Sequence, residues 1–175
     1  MLRYLQGPKN RSLFYPWNNI FKLTAYTDAS YGNCLDTRRS FSGYVFQLGN
    51  ATISWRCRKK RFVAISTCEA EYMALAMTTK HHLWLKRGIQ ELVKENNPMA
   101  LFCDSNAAID VAYNPKLNDR SKHIDIAYHF TREQIEQGNW SVMYVPTEEN
   151  VADKCTKGMT RYVKDHLCSK IFGSK

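Results

Sequence analysis

Two apolar runs, each ending in an aspartate, constrain this chain more than any other feature. The first is Leu23-Thr24-Ala25-Tyr26-Thr27-Asp28 and the second Met99-Ala100-Leu101-Phe102-Cys103-Asp104. In the first, Leu23, Ala25 and Thr27 fall on one face and Thr24 and Tyr26 on the other, as in a strand with core on at least one side. The second is short and continuous, as expected of a strand buried on both faces. A carboxylate after such a run is costly in a core unless it is paired or holds a metal. At the carboxyl end of a strand it stays partly wet, and ligands of α/β sheets bind there. Taken alone, Asp28 reads as turn chemistry, with Asp-Ala-Ser closing the strand. The recurrence at Asp104 is what points to a site.

The segments around these runs supply the other elements. Residues 33–40 form a polar, basic loop carrying Arg38 and Arg39. Residues 42–48 and 51–57 read as two strands joined by Gly49-Asn50, a two-residue hairpin signal. Ser66-Thr67-Cys68-Glu69 is a capping box that predicts a long helix to about Val93. Tyr72, Met73, Ala76, Leu83, Trp84 and Leu92 are expected as its core stripe. His81 and His82 are adjacent on that helix, so they cannot both face one metal, and they read as surface and half-buried packing. Asn96-Asn97-Pro98 stops the helix. After Asp104, a short helix is expected over 107–113, then a basic loop over 114–122. Ile124, Tyr128, Thr131 and Ile135 share one helical face, and Gly138 is its C-cap. Residues 140–145 form a last strand, and residues 147–153 lead into a terminal helix. Residues 1–19 are aromatic and basic, broken at Gly7-Pro8 and Pro16, and read as the end of something rather than the start of a domain.

This order predicts an α/β fold with a five-stranded mixed sheet flanked by helices. Three strands are antiparallel in hairpin connection, and two more follow helical crossovers and lie parallel to the first. Asp28 and Asp104 then share one edge of adjacent parallel strands. Glu71 lies in the first turns of the long helix, and Asp153 at the start of the last one. Glu69 and Glu71 point about 160 degrees apart on a helix, so only one can face the others; Glu69 already serves the capping box. Four converging carboxylates repel one another and raise one another's pKa. Divalent cations relieve this, and hard oxygen ligands suit magnesium or manganese. Two such ions about 4 Å apart stabilise the attacking and leaving oxygens of an in-line phosphoryl displacement.

The 175 residues suffice for one domain with some extra ends, and the formal net charge of +9 favours a polyanionic partner. The run Arg56-Cys57-Arg58-Lys59-Lys60-Arg61 reads equally as solvated edge protection and as phosphate contact. An acidic centre on a basic surface describes a nuclease. No apolar run is long enough to span a bilayer, and Arg3, Lys9 and Arg11 interrupt any signal peptide, so a soluble intracellular protein or a piece of a longer polyprotein is expected. The six cysteines contain no C-x-x-C pair and are read as reduced thiols, with Cys68 and Cys103 packed as small apolar groups.

Several blocks are distinctive. They are Tyr26-Thr27-Asp28-Ala29-Ser30, Ser42-Gly43-Tyr44-Val45-Phe46, Ile53-Ser54-Trp55, Ser66-Thr67-Cys68-Glu69-Ala70-Glu71-Tyr72-Met73-Ala74-Leu75 and Cys103-Asp104-Ser105-Asn106. Two more are Lys122-His123-Ile124-Asp125-Ile126-Ala127-Tyr128-His129-Phe130 and Val145-Pro146-Thr147-Glu148-Glu149-Asn150-Val151-Ala152-Asp153-Lys154-Cys155-Thr156-Lys157. Together they resemble the ribonuclease H domain of copia-type LTR retrotransposon polyproteins, collinearly over residues 20–158. Residues 1–19 resemble the tail of the preceding reverse transcriptase, without its metal-binding Asp pair. Residues 159–175 are left as a C-terminal helix and tail.

The resemblance implies a ribonuclease H-like fold and hydrolysis of the RNA strand of an RNA–DNA hybrid during reverse transcription. It implies two Mg2+ ions, with Mn2+ able to substitute, held by Asp28, Glu71, Asp104 and Asp153. Ser30, Arg38, Arg39, Arg56, Arg58, Lys59, Lys60 and Arg61 are the expected nucleic-acid contacts, and Asn106 matches a position that reads the hybrid's minor groove. The reverse transcriptase of the same polyprotein is the expected protein partner. The implied location is the cytoplasm, in virus-like particles, or the nucleus, with no membrane association. One departure is that the loop after the last strand, Pro146-Thr147-Glu148-Glu149-Asn150, lacks the His that cellular and retroviral ribonucleases H carry there. His123 belongs to the copia-type block instead, as an accessory group or as packing for its helix. The rival readings are an integrase-like strand transferase, whose acid spacing and zinc module are missing, and a catalytically silent or domesticated module that binds nucleic acid or a protein.

Overall fold

The strand β1 (Leu23–Ser30) lies at the middle of a five-stranded sheet of order β3-β2-β1-β4-β5. The computed structural model describes residues 12–16, 22–61, 63–93, 99–114 and 122–172, without the side chains of 92, 93, 122–125 and 161. β2 (Phe41–Leu48) runs antiparallel to β1, and β3 (Ala51–Lys59) antiparallel to β2. The tight connection at Gly49 and Asn50 needs a left-handed residue, and Gly49 supplies it with φ 60°. β4 (Met99–Cys103) and β5 (Trp140–Tyr144) are parallel to β1, as their helical crossovers require. The expected five-stranded mixed sheet is therefore the one observed.

Two layers of helix cover the sheet. On one face lie α1 (Thr67–Val93), α2 (Asn106–Tyr113) and α3 (Lys122–Glu136). Here Ala25, Tyr44, Phe46, Tyr72, Leu75, Leu101 and Tyr128 make the main core. The rings of Tyr72 and Tyr128 join α1 to α3, stacked at 3.8 Å between centroids. On the other face lie a five-residue 3-10 turn (Val151–Cys155) and α4 (Arg161–Phe172), packed over Val45 and Tyr26 through Val151 and Leu167. The chain entering the domain is tied to the end of α4, where the Phe14 N–H donates to the Phe172 carbonyl at 2.9 Å.

Four local expectations are corrected. The core stripe of α1 is Tyr72, Leu75, Thr78, Thr79 and His82, while Trp84 is 69% exposed. Thr78 and Thr79 bury their hydroxyls by bonding back to the carbonyls of Ala74 and Leu75, both at 2.9 Å. His82 is buried rather than half-buried, edge-on to the Trp140 ring. β1 does not stop at Asp28 but continues through Ala29 and Ser30, held by β2. Asp153 sits in the 3-10 turn, not at the start of the terminal helix, which begins at Arg161. Cys103 is buried as expected, Cys68 is half-buried, and none of the six cysteines is in a disulfide. The expected segment 1–19 (apart from 12–16), the stop at 96–98, the loop 115–121, and the side chains of Leu92 and Ile124 lie outside the described residues.

Candidate active site

The parallel register pairs Thr27 of β1 with Cys103 of β4, so the next residues, Asp28 and Asp104, emerge side by side. β4 ends there, while β1 goes on pairing with β2, with Asp28 opposite Gly43. Gly43 has a packing reason. A Cβ there would come within 2.5 Å of Cys155 Cβ and 3.2 Å of the Ala152 carbonyl oxygen. Its bare backbone lets residues 151–157 lie against the sheet beside Asp28. Asn150, fully buried, pins that turn: its Nδ2 donates to the Thr27 carbonyl at 3.0 Å and its Oδ1 accepts from the Ala152 N–H at 3.1 Å. The turn then delivers two donors to Asp28. The Thr156 hydroxyl donates to Oδ2, and Lys157 Nζ donates to Oδ1 at 2.9 Å. The same ammonium reaches Asp153 Oδ1 at 3.0 Å.

Glu71 approaches from the opposite layer. The α1 cap fixes its rotation: the Glu69 N–H donates to Ser66 Oγ at 3.1 Å, and Glu69 Oε2 accepts from the Ile65 N–H at 2.9 Å, one residue beyond the expected box partner. Glu71 therefore faces the sheet edge, where its Oε2 accepts from the Ala29 N–H at 3.0 Å. Burial, reinforced by the charges of Asp28 and Asp104, pushes its pKa up to about 9. Burial and then the Asp28 charge raise Asp153 as well. Burial alone would lower the Lys157 ammonium, but Asp28 and Asp153 outweigh it and hold it above the ordinary lysine value. Asp104 Oδ2 accepts from the Thr147 hydroxyl at 2.8 Å, whereas its Oδ1 is buried with no donor among the described residues.

Asp104 links two groupings of ligand atoms, each within 4.8 Å: one with Asp28 and Asp153, the other with Glu71 and Cys103. Burial pushes the Cys103 thiol up to about 12, and its soft sulfur suits a hard cation less well than the oxygens beside it. Hard oxygen donors, an unpartnered buried carboxylate oxygen and excess negative charge fit a hard divalent cation. An open cleft of about 470 Å³ adjoins the grouping, lined among others by Glu71, Asp104, Ser105 and Lys157.

The other residues singled out in the sequence divide. Ser30 lines the cleft, but its hydroxyl is buried and accepts from the Phe41 N–H at 3.3 Å. Asn106 is exposed as the first residue of α2, whose N-cap Ser105 accepts from the Ala108 N–H. Arg38, Arg39, Arg56, Arg58 and Arg61 are exposed, and Lys59 is half-buried. Lys60 turns inward and gives its ammonium to the Ala70 carbonyl at 2.6 Å; burial pushes its pKa down to about 8. His123 lies in the first turn of α3, and its side chain is outside the described residues. Sequence reasoning missed Gly43, Thr147, Asn150, Thr156 and Lys157. Only Lys157 carried a local signal, since four residues after Asp153 places two side chains on one side of a turn.

No protein-family model matches the chain. It is 39% identical, over 99% of its length, to the retrovirus-related Pol polyprotein from transposon TNT 1-94 of Nicotiana tabacum, and covers 13% of that protein. It is 36% identical, over 98% of its length, to the retrovirus-related Pol polyprotein from transposon RE1 of Arabidopsis thaliana, and covers 12% of it. The chain thus spans about an eighth of the length of the curated relatives it matches. Among solved structures it resembles LC11-RNase H1 in complex with an RNA/DNA hybrid, with TM-score 0.53 and 15% identity over 77% of this chain and 94% of that one. That likeness is one of fold: the sheet and its helices are those of ribonuclease H.

Proposed function

This chain belongs to the retrovirus-related Pol polyproteins of copia-type transposons, and from that premise we propose that it is their ribonuclease H segment, a divalent-metal-dependent endonuclease that hydrolyses the RNA strand of RNA–DNA hybrids. The observation that carries this is Asp104, common to both groupings of ligand atoms and with one buried oxygen that no described group satisfies. Asp28, Glu71, Asp104 and Asp153 would hold the cations. Mg2+, or Mn2+ in its place, would supply an activated water and charge stabilisation at the leaving 3′ oxygen.

The protein's own groups do the rest. The Ala29 N–H and the Thr147 hydroxyl each hold one carboxylate oxygen, of Glu71 and of Asp104, and both residues line the cleft. Asn106 stands at the cleft's end of α2, where it would meet the minor groove and its 2′-hydroxyls. Exposed Arg38, Arg39, Arg56, Arg58 and Arg61 would supply phosphate contacts, while Lys60 is committed to Ala70. Residues 1–19 would be the tail of the reverse transcriptase, residues 20–158 the nuclease domain and 159–175 a C-terminal helix and tail. The working environment would be the polyprotein in cytoplasmic virus-like particles. Among the described residues no helix is long and apolar enough to cross a membrane.

The test is cleavage of an end-labelled RNA–DNA hybrid with Mg2+, with Mn2+ and with chelator. Metal-dependent cutting of the RNA strand alone is expected. A chain that binds hybrid tightly and never cuts it would be the silent module instead.

A further inference from the structure

Asp28 is completely buried, and both of its oxygens are already taken by the chain itself. One belongs to the Thr156 hydroxyl. The other shares the Lys157 ammonium with Asp153, at 2.9 and 3.0 Å. The ammonium thus occupies the position between two carboxylates where a cation of that grouping would sit. It is not walled in, because the Lys157 side chain is 35% exposed and lines the open cleft. Its backbone is fixed independently, by the Lys157 N–H donating to the Asp153 carbonyl at 3.0 Å. The head group can therefore leave while the turn stays in place, since a lysine stem is long and flexible. The second grouping differs: Glu71 and Asp104 take their hydrogen bonds from Ala29 and Thr147 rather than from Lys157, and among the described residues Asp104 Oδ1 has no donor.

We propose that Lys157 is a displaceable internal counter-cation, which bridges Asp28 and Asp153 in the metal-free protein and competes with a divalent ion for their oxygens. This rests on the metal-dependent reading above. An ammonium and a divalent cation cannot share oxygens about 3 Å away without strong repulsion. The two ions are accordingly unequal. The one at Glu71 and Asp104 binds without displacing Lys157, and the one at Asp28, Asp104 and Asp153 binds only as Lys157 swings into the cleft. There the released charge faces the region through which a polyanion's backbone would pass, so entry of a nucleic acid favours the displaced state.

The experiment is Mn2+ binding to the full chain by calorimetry, without substrate, for the wild type, Lys157→Gln, Lys157→Arg and Asp104→Asn. The wild type should show a tight and a weak class of site. Lys157→Gln should tighten the weak class about tenfold, the scale expected for removing one adjacent like charge, and its metal-free melting temperature should fall. Lys157→Arg keeps the charge and should keep the weak class weak. A second readout needs no variant: the Lys157 side-chain carbon resonances of the wild type should move towards those of a solvated lysine as Mg2+ fills the weak class. Unchanged or weaker Mn2+ binding in Lys157→Gln, or Lys157 resonances indifferent to Mg2+, overturns the competition while leaving the metal reading intact. Wild-type protein that binds no Mn2+, or binds it undiminished in Asp104→Asn, sinks the metal reading and the competition with it.

Discussion

The two charged regions of this protein are built in opposite ways. At the carboxylate edge, side chains from β1, α1, β4 and the turn 151–157 meet, and both oxygens of Asp28 are held by distant donors. At the outer strand β3, Arg56 and Arg58 are close in sequence and exposed, in register with Tyr44 and Ser42. The first is a tertiary object whose parts are worthless apart. The second is a local charge pattern that any exposed edge strand could display. Changes at the carboxylate edge should therefore act on chemistry, and on stability as well where they disturb the contacts that hold the edge together, and changes on β3 only on long-range attraction.

The sharpest break of that comparison is Asp104→Asn beside Glu71→Gln. Each should lower hybrid cleavage on the order of 10²–10³-fold, the scale of losing one preorganised electrostatic group. Neither should lower the melting temperature appreciably. The amide oxygen of either replacement can still accept the bond that the carboxylate took, from the Thr147 hydroxyl or from the Ala29 N–H. Retained cleavage in either variant would move the metal site elsewhere.

Acid sensitivity should come from neither region but from His82, buried against Trp140. Burial first, then the charges of Lys86 and His81, depress His82 to about 4. Its folded pKa lies below its unfolded one, so the unfolded chain binds the extra proton. Stability is then full above about pH 6.5 and falls as the pH drops towards 4, by up to about 3 kcal/mol. Melting curves across that window should lose this limb in His82→Gln. An identical limb in the variant would assign acid lability to other groups.

Gly43→Ala tests how the carboxylate edge is assembled. The added methyl meets Cys155 Cβ at 2.5 Å, so the turn must lift, at a cost of about 1–3 kcal/mol. Because that turn carries Thr156 and Lys157, cleavage should drop as well. Full activity with an unchanged melting point would mean that the turn is not what holds Asp28.

Smaller effects separate the two glutamates of α1. Glu69→Ala should destabilise by about 1 kcal/mol through the lost cap contact to Ile65, with cleavage kept. Loss of cleavage in Glu69→Gln would show that the helix is turned the other way. The gentlest test concerns β3. Replacing Arg56 and Arg58 by Ala should flatten the log–log salt dependence of hybrid binding by roughly two, one per phosphate contact. Lys60→Met, whose ammonium is spent on Ala70, should leave that slope alone; a changed slope would place Lys60 among the phosphate contacts.

What the sequence determined by itself follows from short-range physics. Alternation and turn chemistry located the strands, crossover length set which pairs are parallel, and the cap at Ser66 set the rotation of α1 that sends Glu71 inward. Parallel register then made Asp28 and Asp104 neighbours without further information. The tertiary structure decided what local pattern cannot encode. The buried stripe of α1 runs through Thr78, Thr79 and His82, polar residues that join a core only because Thr27, Trp140 and backbone carbonyls are there to receive them. Asp28 sits within a strand rather than at its end because β2 goes on pairing after β4 has stopped. Lys157 meets Asp28, a contact across 129 positions, because Gly43 leaves room for a turn that Asn150 anchors. A side chain's partner at that separation is chosen by packing in three dimensions, and no periodicity along the chain records it.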